Sequence, residues 1–142
     1  MIVTPNQSPL CNHLDKHIYV SGGEEVKNNV QRYVIDEERW ELVPPMIIGR
    51  KKHSSCALGP NIYVTCGYEN GKVLNSFERL DTREIESGTA RWQISGHSPD
   101  VLPPRCEPAF FALNSHQLII LGGYRHGYLS DVVIYDERTE EC

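Results

Sequence analysis

The sequence predicts an all-β protein built from repeated antiparallel sheets. Its apolar residues come in short, alternating runs, and none keeps helical spacing for more than about ten residues. Turn-forming residues separate these runs, and one ordered set of motifs recurs three times along the chain. The composition, 39% hydrophobic and 23% charged over 142 residues, is that of an ordinary globular chain with a packed core.

Eleven short segments have the residue types and alternation of strands. They are residues 9–13, 17–21, 30–35, 40–43, 53–58, 62–66, 74–80, 91–94, 109–113, 117–121 and 131–135. Turn formers lie between them, and Asn70-Gly71 suits a two-residue hairpin turn. The polar stretch 82–90 is an insertion between two predicted strands, so we expect it to form a protruding loop.

The stretch YVSGGEE places two adjacent glycines directly after a short apolar run. Glycines in this setting are typical either of a phosphate-binding loop or of a repeated turn in an all-β fold. The setting returns at Cys66-Gly67 and Gly122-Gly123, so that Gly23, Gly67 and Gly123 are 44 and 56 residues apart. Neither Gly-Gly pair is followed by the lysine and hydroxyl residue of a phosphate loop, which favours the repeated turn.

Three further features recur in the same order around these glycines. An apolar residue is followed by Asp36, Asp81 or Asp136, which lie 13, 14 and 13 residues after the second glycine. A tryptophan then opens the next strand, at Trp40 and at Trp92. A proline-rich segment leads to Arg50 and Arg105, which precede the next glycine by 17 and 18 residues.

In this order the motifs resemble the Kelch repeat, whose unit is a four-stranded propeller blade. The resemblance runs from about residue 5 to residue 136 and implies a partial Kelch-type β-propeller of about three four-stranded antiparallel blades. The blades would be residues 5–44, 50–95 and 105–142, the last one without its fourth strand. The repeat residues, expected to be structural, are Gly22, Gly23, Asp36, Trp40, Gly67, Asp81, Trp92, Gly122, Gly123 and Asp136.

Three blades are fewer than a closed propeller needs, since propellers have about four to eight. An arc of this size would leave two apolar faces open. We therefore expect either further blades, if the sequence is a piece of a longer chain, or a homodimer.

By resemblance to most Kelch propellers, the expected function is non-enzymatic binding of a protein partner through the loops between strands and between blades. The loops after the second strands are residues 24–29, 68–72 and 124–129. Tyrosine and arginine are frequent in interface hot spots, and both occur here. The predicted partner-binding residues are Glu24, Glu25, Arg50, Tyr68, Glu69, Arg105, Tyr124, Arg125, His126 and Tyr128.

Two other functions remain open on the same resemblance. One is a fragment or subunit of a Kelch-propeller enzyme of the oxidase, epimerase or lyase type, and the other is the substrate-recognition part of a ubiquitin-ligase adaptor. The six histidines do not recur at one repeat position, as a channel metal site would require. Cys11, His13 and His17 have a zinc-like spacing but lack a fourth ligand, so we predict no metal and no cofactor.

Charge and cysteine content limit the cellular setting. The net charge of −5 argues against a nucleic-acid or membrane-surface binder, which would show a basic face. The five cysteines are scattered, odd in number and without a C-x-x-C pair, and no apolar signal-peptide core follows Met1. We expect a reduced, intracellular protein, located in the cytoplasm.

Overall fold

The computed structural model describes residues 10–25, 27–95 and 101–142. This part of the chain contains strands and two short 3-10 turns, Ile35–Glu37 and Thr82–Glu84, and no α-helix. The strands are β1 Leu10–Leu14, β2 His17–Ser21, β3 Val30–Val34, β4 Arg39–Val43, β5 Ser54–Leu58, β6 Asn61–Thr65, β7 Tyr68–Glu69, β8 Lys72–Val73, β9 Phe77–Asp81, β10 Gln93–Ile94, β11 Ala109–Ala112, β12 Gln117–Tyr124 and β13 Tyr128–Asp136.

Three antiparallel sheets follow one another along the chain. The first sheet has the order β1-β2-β3-β4, the second β10-β9-β6-β5, and the third β11-β12-β13. Each is an up-and-down meander in which sequence neighbours pair, apart from the small β7-β8 hairpin between β6 and β9. This architecture confirms the predicted all-β fold with three blade-like sheets, the last of them incomplete.

The structure differs from the predicted strand boundaries mainly in the segments that were predicted to be loops. The Asn70-Gly71 turn joins β7 to β8, and both residues have the positive φ, +46° and +84°, that a primed hairpin turn requires. In the third sheet β12 extends to Tyr124 and β13 begins at Tyr128, so both strands enter the predicted loop 124–129, and their pairing register shifts between Leu121 and Gly123. The hairpin lengthens there because backbone pairing continues beyond this irregularity.

Two apolar clusters hold the sheets together. Between the first and second sheets, Tyr19, Val30 and Val43 pack with Ile62 and Trp92. Between the second and third sheets the cluster is aromatic: the rings of Phe77 and Tyr135 stack 4.7 Å apart, and Phe110 and Tyr63 meet them edge-on. Each sheet is therefore stabilised by burial against its neighbour, as in stacked repeat units.

Two of the repeated glycines, Gly67 and Gly123, lie where the turn after the second strand passes close to the segment that enters the same sheet. A Cβ added at Gly67 would stand 2.7 Å from the carbonyl oxygen of Lys51, and one at Gly123 would stand 2.7 Å from that of Cys106. Both glycines also have positive φ, +95° and +103°. Any side chain would collide with backbone, so packing alone accounts for glycine at these two positions.

The aspartates do not occupy one structural position. In the second and third sheets the aspartate pairs with the first residue of the neighbouring strand: Asp81 with Asn61 in β6, and Asp136 with Gln117 in β12. In the first sheet the first residue of β2 is His17, and its partner is Val34. Asp36 lies two residues later, in a 3-10 turn, where it binds Lys16. Its prediction as a repeat residue is wrong, because the loop before β3 is shorter than the loop before β9 and counting from the glycine therefore misaligns the strands.

The two tryptophans have different environments. Trp92 is buried between the first and second sheets, and its indole nitrogen donates to the Pro44 carbonyl at 2.8 Å. Trp40 is 39% exposed and packs against Tyr33 on the outer face of the first sheet. The third sheet has a similar open face, on which Phe111, Val132 and Ile134 are exposed. The described arc thus ends in an apolar face on both sides.

Candidate binding surface

The connecting segments and the loops after the second strands meet at one end of the sheets. Lys51 forms an antiparallel bridge with Tyr68, and Cys106 forms the equivalent bridge with Tyr124. Two backbone hydrogen bonds of 2.8 to 3.1 Å close each bridge. The side chain of Lys27, from the loop of the first sheet, donates to Asn70 at 3.2 Å, so that the loops of adjacent sheets are in contact.

An open cavity of about 330 Å³ lies between the two bridges. Its walls combine aromatic and apolar side chains with cations and one carboxylate. They are Lys51, Lys52, Tyr68, Val73, Cys106, Glu107, Tyr124, Arg125 and His126. Large rings beside charged groups are the residue types that carry most binding energy at protein interfaces.

Positive charge prevails in this cavity although the whole chain carries −5. The Lys51 ammonium lies 2.7 Å from the Glu24 carboxylate and 5.6 Å from the centre of the Tyr68 ring. Lys52 and Arg125 form no ion pair with any residue that the structure describes. Burial raises the pKa of the Cys106 thiol, an effect that Lys52 opposes and Glu107 reinforces, so the cysteine lines the cavity as a neutral group.

The structure brings together four of the residues predicted to bind a partner, namely Tyr68, Tyr124, Arg125 and His126. Tyr128 stands beside them, 95% exposed, with its ring 5.7 Å from that of Tyr124 in a T-shaped arrangement. The predicted glutamates lie at the margin. Glu24 reaches the cavity only through Lys51, Glu25 is exposed on the same loop, and Glu69 is half-buried in β7.

Two arginines of the predicted set do not face a partner. Arg50 and Arg105 are both fully buried. Arg50 donates to the carbonyl oxygen of Cys66 at 2.9 Å and Arg105 to that of Gly122, also at 2.9 Å. Their prediction as partner-binding residues is therefore wrong, because each guanidinium is used inside its own sheet to satisfy the turn after the second strand.

Sequence reasoning missed Lys52, Val73, Cys106 and Glu107, which also line the cavity. Lys52 and Glu107 each lie two residues after one of the repeated arginines, and both have positive φ, +53° and +51°. The repeat itself was therefore the signal that could have found them. Equivalent positions in successive repeats carry opposite charges at the mouth of the cavity.

A buried serine–histidine pair lies beneath the loops, but it is not arranged for nucleophilic catalysis. Ser21 Oγ and His53 Nε2 are 2.9 Å apart, and both residues are almost inaccessible, at 4% and 2%. The other ring nitrogen, Nδ1, has no hydrogen-bond partner among the described residues, whereas a catalytic triad needs a carboxylate there. The pair links the first sheet to the segment entering the second.

The zinc-like cluster in the sequence does not converge. Because Leu14 pairs with His17 and His13 with Ile18, His13 and His17 lie on opposite faces of the first sheet. Over residues 10–25, 27–95 and 101–142, no three His, Cys, Asp or Glu side chains lie close enough to hold a metal ion together. In the same ranges the chain has no helix with the length and hydropathy of a membrane span.

Comparison with known proteins gives several related sequences. The chain is 27% identical to Kelch-like protein 6 of Homo sapiens over 122 residues, which cover 84% of this chain and 18% of that protein. It is 28% identical to Kelch-like protein 36 of Bos taurus over 132 residues, covering 87% and 21%. Kelch repeat and BTB domain-containing protein 2 of cowpox virus (strain GRI-90 / Grishak) is 23% identical over 99 residues, covering 63% and 18%.

The chain thus spans 18 to 21% of the length of these curated relatives. No family model matches it. All three relatives carry the name of the repeat that the sequence motifs resemble, and the structure has the antiparallel sheets of that repeat. In its motifs, its sheets and its related sequences, the chain is therefore similar to Kelch-repeat proteins.

Proposed function

We propose that the chain is a non-enzymatic protein-binding module whose partner contacts the cavity between the loops of the second and third sheets. One observation carries this proposal: the half-buried Tyr68, the exposed Tyr124 and two cations without ion-pair partners in the described structure converge on a single open cavity. Tyr68 and Tyr124 supply apolar area with a polar tip, and Arg125 supplies a directional charge.

The surrounding structure supports a surface that is ready to bind. The two backbone bridges fix the base of each loop, so the tyrosines start from defined positions. A partner that meets an ordered surface loses less conformational entropy on binding. The mixed lining also suits a protein partner, since interface cores combine aromatic anchors with a polar rim.

An enzymatic function has less support. The buried Ser21 and His53 cannot reach a substrate, and His53 lacks a carboxylate partner in the described structure. A role as the substrate-recognition part of a ubiquitin-ligase adaptor would use the same binding surface. The name of one relative includes a BTB domain as well as Kelch repeats, and that name describes the relative alone.

The open faces of the first and third sheets are a second surface for contact. We infer that further blades or a second copy of the chain cover them, because Trp40 on one side and Phe111, Val132 and Ile134 on the other expose apolar area. The five cysteines are free thiols, which agrees with the reducing cytoplasmic setting that we propose.

Affinity capture with matched variants tests the binding surface. The immobilised chain would be compared with a triple variant, Tyr68→Ala, Tyr124→Ala and Arg125→Ala, by quantitative mass spectrometry of captured proteins. A control variant carries alanine at Ile94, Ser115 and Arg138, which are exposed and outside the cavity. We expect partners that the triple variant loses and the control keeps. Equal capture by all three proteins would contradict the proposed surface.

A further inference from the structure

Two arginines in the first sheet are surrounded by carboxylates. Arg32, in β3, lies 2.6 Å from Glu41 across the ladder and also binds Glu86, which comes from the insertion in the second sheet. Arg39 is paired with Glu37 and Glu41. Two guanidinium groups therefore meet three carboxylates, and the positive charge at this point of the first sheet is fully compensated.

The second sheet repeats this ladder with one carboxylate replaced. Tyr19, Arg32 and Glu41 are neighbours across β2, β3 and β4, and Tyr63, Arg79 and Gln93 are neighbours across β6, β9 and β10. Gln93 thus stands where Glu41 stands. An amide can accept a hydrogen bond from Arg79, here at 3.4 Å, but it cannot neutralise the charge.

The neighbours of Arg79 supply the missing charge only in part, through one long ion pair. The Glu140 carboxylate is 3.8 Å from Arg79, compared with 2.6 Å between Arg32 and Glu41. Arg91 precedes Trp92 as Arg39 precedes Trp40, and it has no ion pair with any described residue. Two arginines that are compensated in one sheet are left largely uncompensated in the next.

A cavity of about 310 Å³ lies at this point. Its walls include Arg79, Arg83 and Arg91 together with the amide side chains of Asn61 and Gln93. Two carboxylates also line it, but Asp81 is held by Arg83 at 2.6 Å and by the Arg83 backbone N–H, which leaves Glu84 alone against Arg79 and Arg91. Among the residues that line the cavity, three guanidinium groups and two amides therefore face two carboxylates, which leaves hydrogen-bond donors in excess.

We propose that this cavity binds an oxyanion, a carboxylate or phosphate group of a ligand, at the position that the Glu41 carboxylate occupies in the first sheet. Guanidinium groups bind both kinds of oxyanion through paired, charge-assisted N–H···O bonds. The amides of Asn61 and Gln93 add donors that discriminate poorly between the two. This site is separate from the cavity between the loops and shares no residue with it.

Arginine side-chain NMR tests the proposal. The 142-residue chain would be titrated with sodium phosphate, and separately with sodium acetate, while sodium chloride keeps the ionic strength constant. We expect the Nε–Hε resonances of Arg79 and Arg91, assigned through Arg79→Lys and Arg91→Lys, to shift saturably with millimolar affinity. The anion that binds with the higher affinity, phosphate or acetate, identifies the preferred group.

The chain offers a matched pair of variants. Gln93→Glu supplies the missing carboxylate and should weaken oxyanion binding roughly tenfold or more. Glu41→Gln makes the reverse change in the first sheet and should leave binding in the second sheet unchanged. If Gln93→Glu fails to fold by circular dichroism, Arg91→Gln takes its place, with the same expected loss.

Three results would overturn the proposal. Neither salt shifts the two resonances saturably, chloride alone produces the same shifts, or Gln93→Glu and Arg91→Gln bind as tightly as the natural chain. Any of them would mean that the excess charge at Arg79 and Arg91 is simply hydrated.

Discussion

Arg50 and Glu78 form an ion pair from which solvent is completely excluded, with 2.6 Å between the guanidinium Nη2 and the carboxylate Oε2. Glu78 also accepts the backbone N–H groups of Ile47 and Ile48, at 2.6 and 3.3 Å. The pair therefore ties the segment between the first and second sheets to β9. In the third sheet, Arg105 makes the corresponding pair with Asp131, but there the carboxylate side chain is 44% exposed.

This difference predicts unequal costs for two equivalent substitutions. Arg50→Met leaves the Glu78 charge buried without a cation and should lower the free energy of unfolding by roughly 3–5 kcal/mol. Arg105→Met leaves Asp131 in contact with water and should cost clearly less. Urea unfolding followed by circular dichroism measures both. Equal losses would mean that burial of the carboxylate does not decide the cost.

The buried His53 predicts a loss of stability in mild acid. Burial, together with the nearby Arg50 charge, lowers the pKa of His53 to about 3. In the unfolded chain its pKa is about 6.5, so below that pH the unfolded state binds more protons than the folded state. The stabilisation is complete above pH ~6.5 and is lost as the pH falls towards ~3, by up to about 1.4 kcal/mol per pH unit.

Urea unfolding between pH ~6.5 and ~4.5 isolates this effect, since most carboxylates titrate below that range. The variant His53→Gln keeps a polar group near Ser21 and should flatten the dependence. If natural and variant chains lose stability in parallel, the proton is taken up elsewhere.

Cys66 occupies the position in the repeated turn that is glycine in the other two sheets, and its backbone has the same left-handed conformation. Its φ of +63° matches the +66° of Gly22 and the +58° of Gly122. A non-glycine residue in this region costs about 1 kcal/mol. Cys66→Gly removes that cost, whereas Cys66→Ala keeps it, and both lose the buried sulfur.

We therefore expect Cys66→Gly to be more stable than Cys66→Ala by up to about 1 kcal/mol in thermal or urea unfolding. Cys56, buried in the middle of β5, is the matched control. There glycine should be the worse of the two substitutions, as is normal in a strand. The same order at both positions would exclude backbone strain at Cys66.

The open sheet faces predict self-association of the isolated chain. Light scattering after size exclusion should give a mass above that of the monomer, because Phe111 and Ile134 would otherwise stay in water. The double variant Phe111→Lys and Ile134→Lys should shift the chain towards monomer, and Ser115→Lys should not. A clean monomer with native β-sheet circular dichroism would contradict this expectation.

The sequence predicted the fold well because its signals are local. The apolar runs, the Asn70-Gly71 turn and the glycines that follow apolar runs all depend on neighbouring residues, and each lies where expected. Trp92 lies buried between two sheets. Trp40 holds the same repeat position, but it is exposed because no described sheet packs on that side.

The candidate binding surface was predicted only in part because its contacts are distant in sequence. Arg50 looked like a loop residue, yet its partners Cys66 and Glu78 lie 16 and 28 residues away. No local pattern shows that a carbonyl and a carboxylate converge on one guanidinium. Tyr68 and Tyr124 could be predicted as cavity residues because their residue type and loop position are themselves the signal, whereas Lys52 needed comparison with Glu107 in the next repeat.

Site-specific photocrosslinking tests whether a protein partner contacts the cavity between the loops. A benzophenone side chain would replace Tyr124, inside the cavity, or Ser115, exposed and outside it. We expect a discrete crosslinked partner from position 124 and none from position 115. Changing Tyr68 and Arg125 to alanine as well should abolish the position-124 product. Crosslinking from position 115 alone, or a position-124 product that survives those changes, would contradict the proposed contact.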